Sequence, residues 1–337
     1  MNGSDGAFAF TRWALSFLMI LMKLSRRHFL TKSVAVSSGT ALAFQFEEDV
    51  LLAQQTQNSA APPPLKAAPD FPRGKIGRLA ISRVICGGNL ISGFAHSRDL
   101  IYVSPLLKHY FTDEKVFETL ARCETHGLNT AILRLDENTV RMLRSYWKER
   151  GGKIQWIAQC QITEDDFSNI KQAVDAGAVA AFVHGGVGDS LIEKGRVDVL
   201  GKAVDYIKRQ GVPAGVAGHS LEVAKACEKA NIGVDFYMKT FNSKRYWSAG
   251  PIPRLDSVWE ETPQETAAFM REVEKPWIAY KVLGAGAIHP NEGFRYAFQN
   301  GADFLCVGMF DFQVEEDVQI ALKALDYARQ RERDWCA

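Results

Sequence analysis

Eight short β-rich runs, at residues 83–87, 129–133, 153–160, 179–184, 212–218, 234–240, 276–283 and 303–308, alternate with helical patterns and constrain this 337-residue chain more than any other feature. Strand, helix and parallel strand in turn is the unit of a (β/α) barrel, and eight such units close one. The spacing therefore predicts an α/β fold, a single (β/α)8 TIM barrel over residues 74–330, with a tail at 331–337. Helix signals agree. Thr112-Asp113-Glu114-Lys115 opens a run that places Val116, Leu120 and Cys123 on one face, and Gly127 ends it just before the next strand. Thr262-Pro263-Gln264-Glu265 offers a capping threonine, a first-turn proline and a glutamate in the third helical position.

Residues 1–53 read as a signal region. Ser25-Arg26-Arg27-His28-Phe29-Leu30 sets a twin arginine ahead of the mild apolar stretch 34–44, the address of the twin-arginine export route. Met22 is the more natural start of such a signal, and Ala41 with Ala43, or Ala53, suits cleavage. Neither apolar piece, 13–22 or 34–44, reaches the roughly 20 residues of a spanning helix, so no stable transmembrane span is expected in the mature form. Residues 54–73, with Pro62-Pro63-Pro64, read as a disordered proline-rich linker without a core of its own. The expected partner is the twin-arginine export machinery, and the expected location is the periplasm or an equivalent extracytoplasmic space. With 40 basic and 39 acidic residues the formal charge is +1, which argues against a nucleic-acid binder or a clamp for acidic membranes. The six cysteines show no Cys-x-x-Cys pair. Cys86, Cys160 and Cys306 lie in apolar strand runs, where cysteine acts as a small hydrophobe rather than a disulfide partner.

Chemistry is expected at the carboxyl ends of the strands. Two long connections follow strands there, 88–111 and 241–261, and suit lids over a polar organic ligand. Asn89, His96, Arg98 and Tyr246 are their candidate substrate contacts, with Tyr102 and Trp259 close by in sequence. If the more apolar face of each strand meets the helices, Phe236 and Met238 point outward and Tyr237 and Lys239 inward; Ile278 and Tyr280 then point outward, and Trp277, Ala279 and Lys281 inward. Two lysines facing each other could leave one amine neutral and nucleophilic toward a carbonyl, or could grip an anion or pair with a carboxylate. His184 ends the fourth strand and is the candidate acid or base; His219 ends the fifth and either joins the site or caps the helix opening at Ser220. No carboxylate stands at a neighbouring strand end, so no metal site is expected. Arg134, Gln159 and Gln161 complete the set as orienting groups. Gly284-Ala285-Gly286-Ala287 and Val307-Gly308-Met309 could present backbone amides to a phosphate or cofactor, which makes Gly284, Gly286, Gly308 and Met309 the candidate cofactor positions.

Two resemblances sharpen these expectations. Asp235-Phe236-Tyr237-Met238-Lys239-Thr240 is locally similar to a lysine strand of class I aldolases of the deoxyribose-phosphate type. Over nearly the whole barrel the chain resembles the aldo/keto reductases. Residues 77–88 look like their opening hairpin and first strand, Gly127-Leu128-Asn129-Thr130 like the entry of the second, Lys281-Val282-Leu283-Gly284-Ala285-Gly286 like the seventh strand of one bacterial branch, and Val307-Gly308-Met309 with 313–317 like the closing strand and cofactor-side helix. The resemblance places the family's catalytic aspartate at Ile132, its lysine at Cys160 and its histidine at His184, with no counterpart to its tyrosine near Glu137. Ala217, Gly218 and Met238 stand where the family has serine, asparagine and glutamine. Phe310-Asp311 replaces a basic residue, and an acid there would repel a 2′-phosphate, so NADPH is not expected, whereas NAD is compatible with export in the folded state. This alignment turns Met238 inward and so conflicts with the apolar-face rule. Three functions follow: an exported aldo/keto-reductase-like oxidoreductase for a small carbonyl-bearing or sugar-like molecule, working without the usual tetrad; a Schiff-base lyase or isomerase through Lys239 or Lys281; or a ligand-binding barrel without catalysis.

Overall fold

A computed structural model describes residues 70–94, 100–244 and 258–337. The signal region, most of the linker, and His96, Arg98 and Tyr246 lie outside the described residues. β1 (Arg73–Ile76) and β2 (Leu79–Ser82) form the antiparallel hairpin, turning at Gly77, whose φ of 57° suits a residue without Cβ. Eight parallel strands follow: β3 (Val84–Gly87), β4 (Thr130–Arg134), β5 (Gln155–Cys160), β6 (Ala180–Val183), β7 (Ala214–Gly218), β8 (Phe236–Thr240), β9 (Trp277–Tyr280) and β10 (Phe304–Val307). They close in the order β10-β3-β4-β5-β6-β7-β8-β9, so the expected barrel is the observed one.

The described helices are α1 (Val103–Tyr110), α2 (Asp113–Thr125), α3 (Glu137–Glu149), α4 (Ser168–Asp175), α5 (Gly185–Glu193), α6 (Val197–Arg209), α7 (Glu222–Lys229), α8 (Pro263–Glu272), α9 (Pro290–Gln299) and α10 (Val314–Tyr327). Thr112 caps α2 by accepting from the Lys115 amide at 3.3 Å, and Asp136 caps α3 in the same way. Thr262 does not cap α8, because its hydroxyl and amide both turn to Glu260. Among the described residues no helix is long and apolar enough to cross a membrane.

Two apolar layers sandwich the strands. Ile85, Ile132, Ile157, Phe182, Phe236, Met238, Ile278 and Phe304 fill the lumen, floored by Ile76 and Ile81 of the hairpin. Trp156, Val183, Val216, Tyr237, Trp277, Ala279 and Leu305 face the helices. Each large apolar side chain so buried contributes about 1.5–3 kcal/mol. Because a closed eight-stranded barrel packs its interior as densely as its exterior, neither strand face is reliably the more apolar. The apolar-face rule therefore inverts β8 and β9: Phe236, Met238, Ile278 and Tyr280 point inward, and Tyr237, Lys239, Trp277 and Ala279 outward. β9 also stops at Tyr280, three residues before its expected end, since Lys281 adopts φ 59° and leaves the extended conformation.

The tail closes the amino end of the barrel. Arg333 donates to the carbonyls of Met270, Val273, Lys275 and Gly301 and to the carboxylate of Asp303, which also accepts from Arg331 and from the amides of Trp277 and Cys336. All six cysteines are free.

Candidate active site at the barrel mouth

The register brings His219, Thr240, Tyr280 and Cys306 to one level of the lumen. Gly218 lies beside Lys239, Thr240 beside Tyr280, and Tyr280 beside Cys306, so four adjacent strands contribute one inward residue each at or just past their ends. The rings of His219 and Tyr280 are 5.6 Å apart. α5 packs against them through glycine. A Cβ at Gly185 would lie 2.8 Å from the Tyr280 hydroxyl and 3.3 Å from His219 Cε1, and one at Gly188 only 2.3 Å from the Ala217 carbonyl oxygen. Only glycine at these positions lets the helix start sit so near both side chains.

This close approach delivers Asp189, one turn into α5, to His219. Its carboxylate lies 2.7 Å from His219 Nδ1 and accepts the amides of His219 and Ser220 at 3.0 Å each. A carboxylate there accepts the Nδ1 proton, so Nε2 is the basic nitrogen of neutral His219. His219 does not cap a helix at Ser220; α7 begins at Glu222, and Asp189 takes the amides instead. Asp189 escapes a strand-end search because it sits on a helix, five residues beyond His184. The run Gly185-Gly186-Val187-Gly188-Asp189 was its available signal: glycines that bring the helix close, then an acid in an apolar stretch.

Lys239 is not inside the barrel. It points toward α8, where its ammonium donates to the carboxylate of Glu260, to the His219 carbonyl at 2.6 Å and to the Thr240 carbonyl at 2.9 Å. Burial lowers its pKa, and the adjacent Glu260 opposes that shift. The expected lysine pair is therefore not formed across the lumen. Lys281 follows Tyr280 directly and is half-buried, and His184 is the N-cap residue of α5. Arg134, beside Gln159 in the register, pairs with Asp136 at 3.2 Å and lies over the ring of Phe94 at 4.9 Å, so it steadies the connection after β3 that also carries the exposed Asn89.

Gly284 and Gly286 lie in the turn after β9, and Gly308 and Met309 directly follow β10. The amides of Gly284 and Gly286 donate to the carbonyls of Lys281 and Leu283, and those of Ala287 and Ile288 to the carbonyls of Gly284 and Leu283, so the turn after β9 closes on itself. A Cβ at Gly308 would come 3.1 Å from Leu90, and the Met309 side chain is buried in the helix-facing core. Asp311 stays a carboxylate anion: burial would raise its pKa, but Tyr110 and Lys115 hydrogen-bond it and hold it low, with Lys115 at 3.2 Å. Ile132 and Met238 face the lumen, as the resemblance implies, whereas Cys160 faces the helices and Gln159 takes the inward place at the end of β5. Among the described residues no group of three or more His, Cys, Asp or Glu side chains is placed to hold a metal ion.

No protein-family model and no curated protein matches the sequence. Among solved structures, a Pseudomonas aeruginosa protein assigned as an aldo-keto reductase superposes with a TM-score of 0.55 at 17% identity, over 77% of this chain and 97% of that one. A truncated 3-deoxy-D-arabino-heptulosonate 7-phosphate synthase from Thermotoga maritima gives 0.48 at 15% identity, over 77% and 93%. At such identities the likeness shows the fold alone: a closed parallel barrel of the kind the aldo-keto reductases share.

Proposed function

We propose that this chain is an exported barrel enzyme that transfers a proton at a small carbonyl-bearing or sugar-like molecule bound at the mouth. The observation that carries the reading is the Asp189–His219 hydrogen bond beside Tyr280, on one level of the lumen. Asp189 fixes the imidazole with its proton on Nδ1, so Nε2 can take a proton from a carbon or hydroxyl of the substrate. The Tyr280 hydroxyl can donate to the oxygen on which charge develops, and Asp189 steadies the imidazolium that results. His184 and Lys281 stand at the same rim as further polar groups. Arg134, Gln159 and Asn89, with His96, Arg98 and Tyr246 from the sequence, are the proposed substrate contacts. Ala217 and Met238, and a turn after β9 that closes on itself, offer a nicotinamide few polar partners, so this proton transfer calls on none.

The test uses a panel of trioses, tetroses and α-hydroxy ketones in D2O, with deuterium entry beside the carbonyl read by NMR. Exchange that disappears in His219→Ala and falls at least tenfold in Tyr280→Phe supports the reading; exchange unaffected by both variants removes it. A second reading, an imine at Lys281, rests on the position of that residue directly after Tyr280. Borohydride reduction with the same carbonyl compounds would leave an adduct on Lys281, whereas a clean negative discards it. The twin arginine supports export to the periplasm or its equivalent. Arg26→Lys with Arg27→Lys should then hold the protein in the cytoplasmic fraction, and unchanged fractionation would refute that location.

A further inference from the structure

We infer that the buried Lys239–Glu260 pair is a positioning device for His219. The inference rests on the reading of His219 as the proton-transfer residue.

An ammonium has three N–H groups, and Lys239 spends them on three acceptors: the Glu260 carboxylate, the Thr240 carbonyl and the His219 carbonyl, the last at 2.6 Å. One end of the proposed catalytic residue is thus tied to a buried cation. The other end is tied to an anion, because Asp189 accepts the His219 amide at 3.0 Å and faces its Nδ1 at 2.7 Å. Carbonyl, amide and ring are all held, each by a charged group, so the imidazole plane has little freedom left to turn. Such restraint matters because proton transfer demands a donor and acceptor placed within a fraction of an ångström.

The lysine is itself aimed by its surroundings. Glu260 accepts from the Thr262 amide and the Thr266 hydroxyl at 3.0 Å each, while its own amide donates to Asn242 at 3.1 Å. Asn242 follows β8 and Thr266 lies in α8, so the pair fastens both ends of the β8–α8 connection to His219, the first residue past β7. A buried ion pair is a weak device for stability alone, since an apolar pair of similar shape does at least as well. It is well suited to holding a carbonyl at a fixed place, through a charge-assisted hydrogen bond that a methionine could not make. Lys239 thus acts through His219 rather than as an amine nucleophile of its own.

The experiment reads the His219 ring directly and needs no substrate. In full-length protein labelled with 15N-histidine, long-range 1H–15N spectra report which ring nitrogen carries the proton, and Asp189→Asn identifies the His219 signals by perturbing them. Wild-type protein should show the Nδ1–H form alone. Lys239→Met with Glu260→Gln, which keeps volume and removes both charges, should remain folded by circular dichroism yet show His219 in mixed tautomers, with exchange of the Nδ1 proton with solvent at least tenfold faster. Should that variant not fold, Glu260→Asp withdraws the carboxylate by one methylene while keeping its charge, and should give the same signature. A His219 spectrum identical to wild type in a folded variant would overturn the inference and leave the proposed function untouched. Conversely, deuterium exchange that persists in His219→Ala would overturn that function, whatever the spectra show.

Discussion

Replacing Lys239 by methionine separates a structural role for this lysine from a covalent one. The side chains of Lys239 and Glu260 are 2% and 4% exposed, so removing the ammonium strands a carboxylate inside the protein with the neutral amide and hydroxyl of Thr262 and the hydroxyl of Thr266 as donors. Two unit charges about 4 Å apart interact by about 4 kcal/mol at an effective dielectric near 20. Breaking one side of a buried pair is accordingly worth about 3–5 kcal/mol. For a domain of this size that lowers the thermal midpoint by about 6–20 °C. Lys239→Met with Glu260→Gln removes both charges and should return to within about 1–2 kcal/mol of wild type. Urea unfolding followed by circular dichroism measures both variants, and an unchanged slope confirms that stability alone has moved. A loss below about 1 kcal/mol in the single variant, the worth of an exposed pair, would refute this reasoning. So would a borohydride adduct on Lys239, since a lysine with all three protons engaged cannot serve as a free amine.

Four further outcomes follow from the geometry. Desolvation, with a smaller contribution from Glu316, raises Asp317 from 3.8 to about 7; its folded form holds the proton more tightly, so stability present below pH 3.8 is lost as pH rises to about 7. Asp317→Asn should therefore gain up to about 4 kcal/mol at pH 8 and almost nothing at pH 3 in urea titrations, and an equal gain at both would contradict the assignment. His126 runs the other way: burial depresses its pKa below 6.5, so stability present above pH 6.5 is lost as pH falls, and His126→Leu should flatten that acid limb in a thermal-melt series. Gly185→Ala forces a methyl group to within 2.8 Å of the Tyr280 hydroxyl, so deuterium exchange should fall by tenfold or more while the far-ultraviolet spectrum stays that of the wild type. Arg333→Ala, at the opposite end of the barrel, should cost about 3–5 kcal/mol in urea unfolding and leave exchange per folded molecule unchanged.

The architecture is legible because strand and helix periods alternate eight times, and because turns such as Gly77 and caps such as Thr112 and Asp136 mark their own positions. The direction of each side chain is less so. Tyr237 and Lys239 read as an inward polar stripe, yet Tyr237 turns out to reach Glu228 on α7 and Lys239 to reach Glu260. A strand with apolar residues on both faces carries no local sign of which face is the lumen, and the resemblance that turns Met238 inward is the better guide there. His184 and His219 are found from the strand ends alone. Asp189 has a local sign in the glycines that precede it on α5, whereas Glu260 and the inward Tyr280 depend on how α5 and α8 lie against the barrel, a relation between distant parts of the chain that no local pattern records.

A crystal structure with the panel compound that exchanges fastest, soaked into the Tyr280→Phe variant to slow turnover, tests the central claim most directly. The account predicts the compound at the carboxyl end of the lumen, with its carbonyl carbon or oxygen beside the ring of His219. Occupancy instead of the outer groove between α3 and α4, a cavity of about 850 Å³ lined by Val140, Arg144, Lys148 and Gln172, would contradict it.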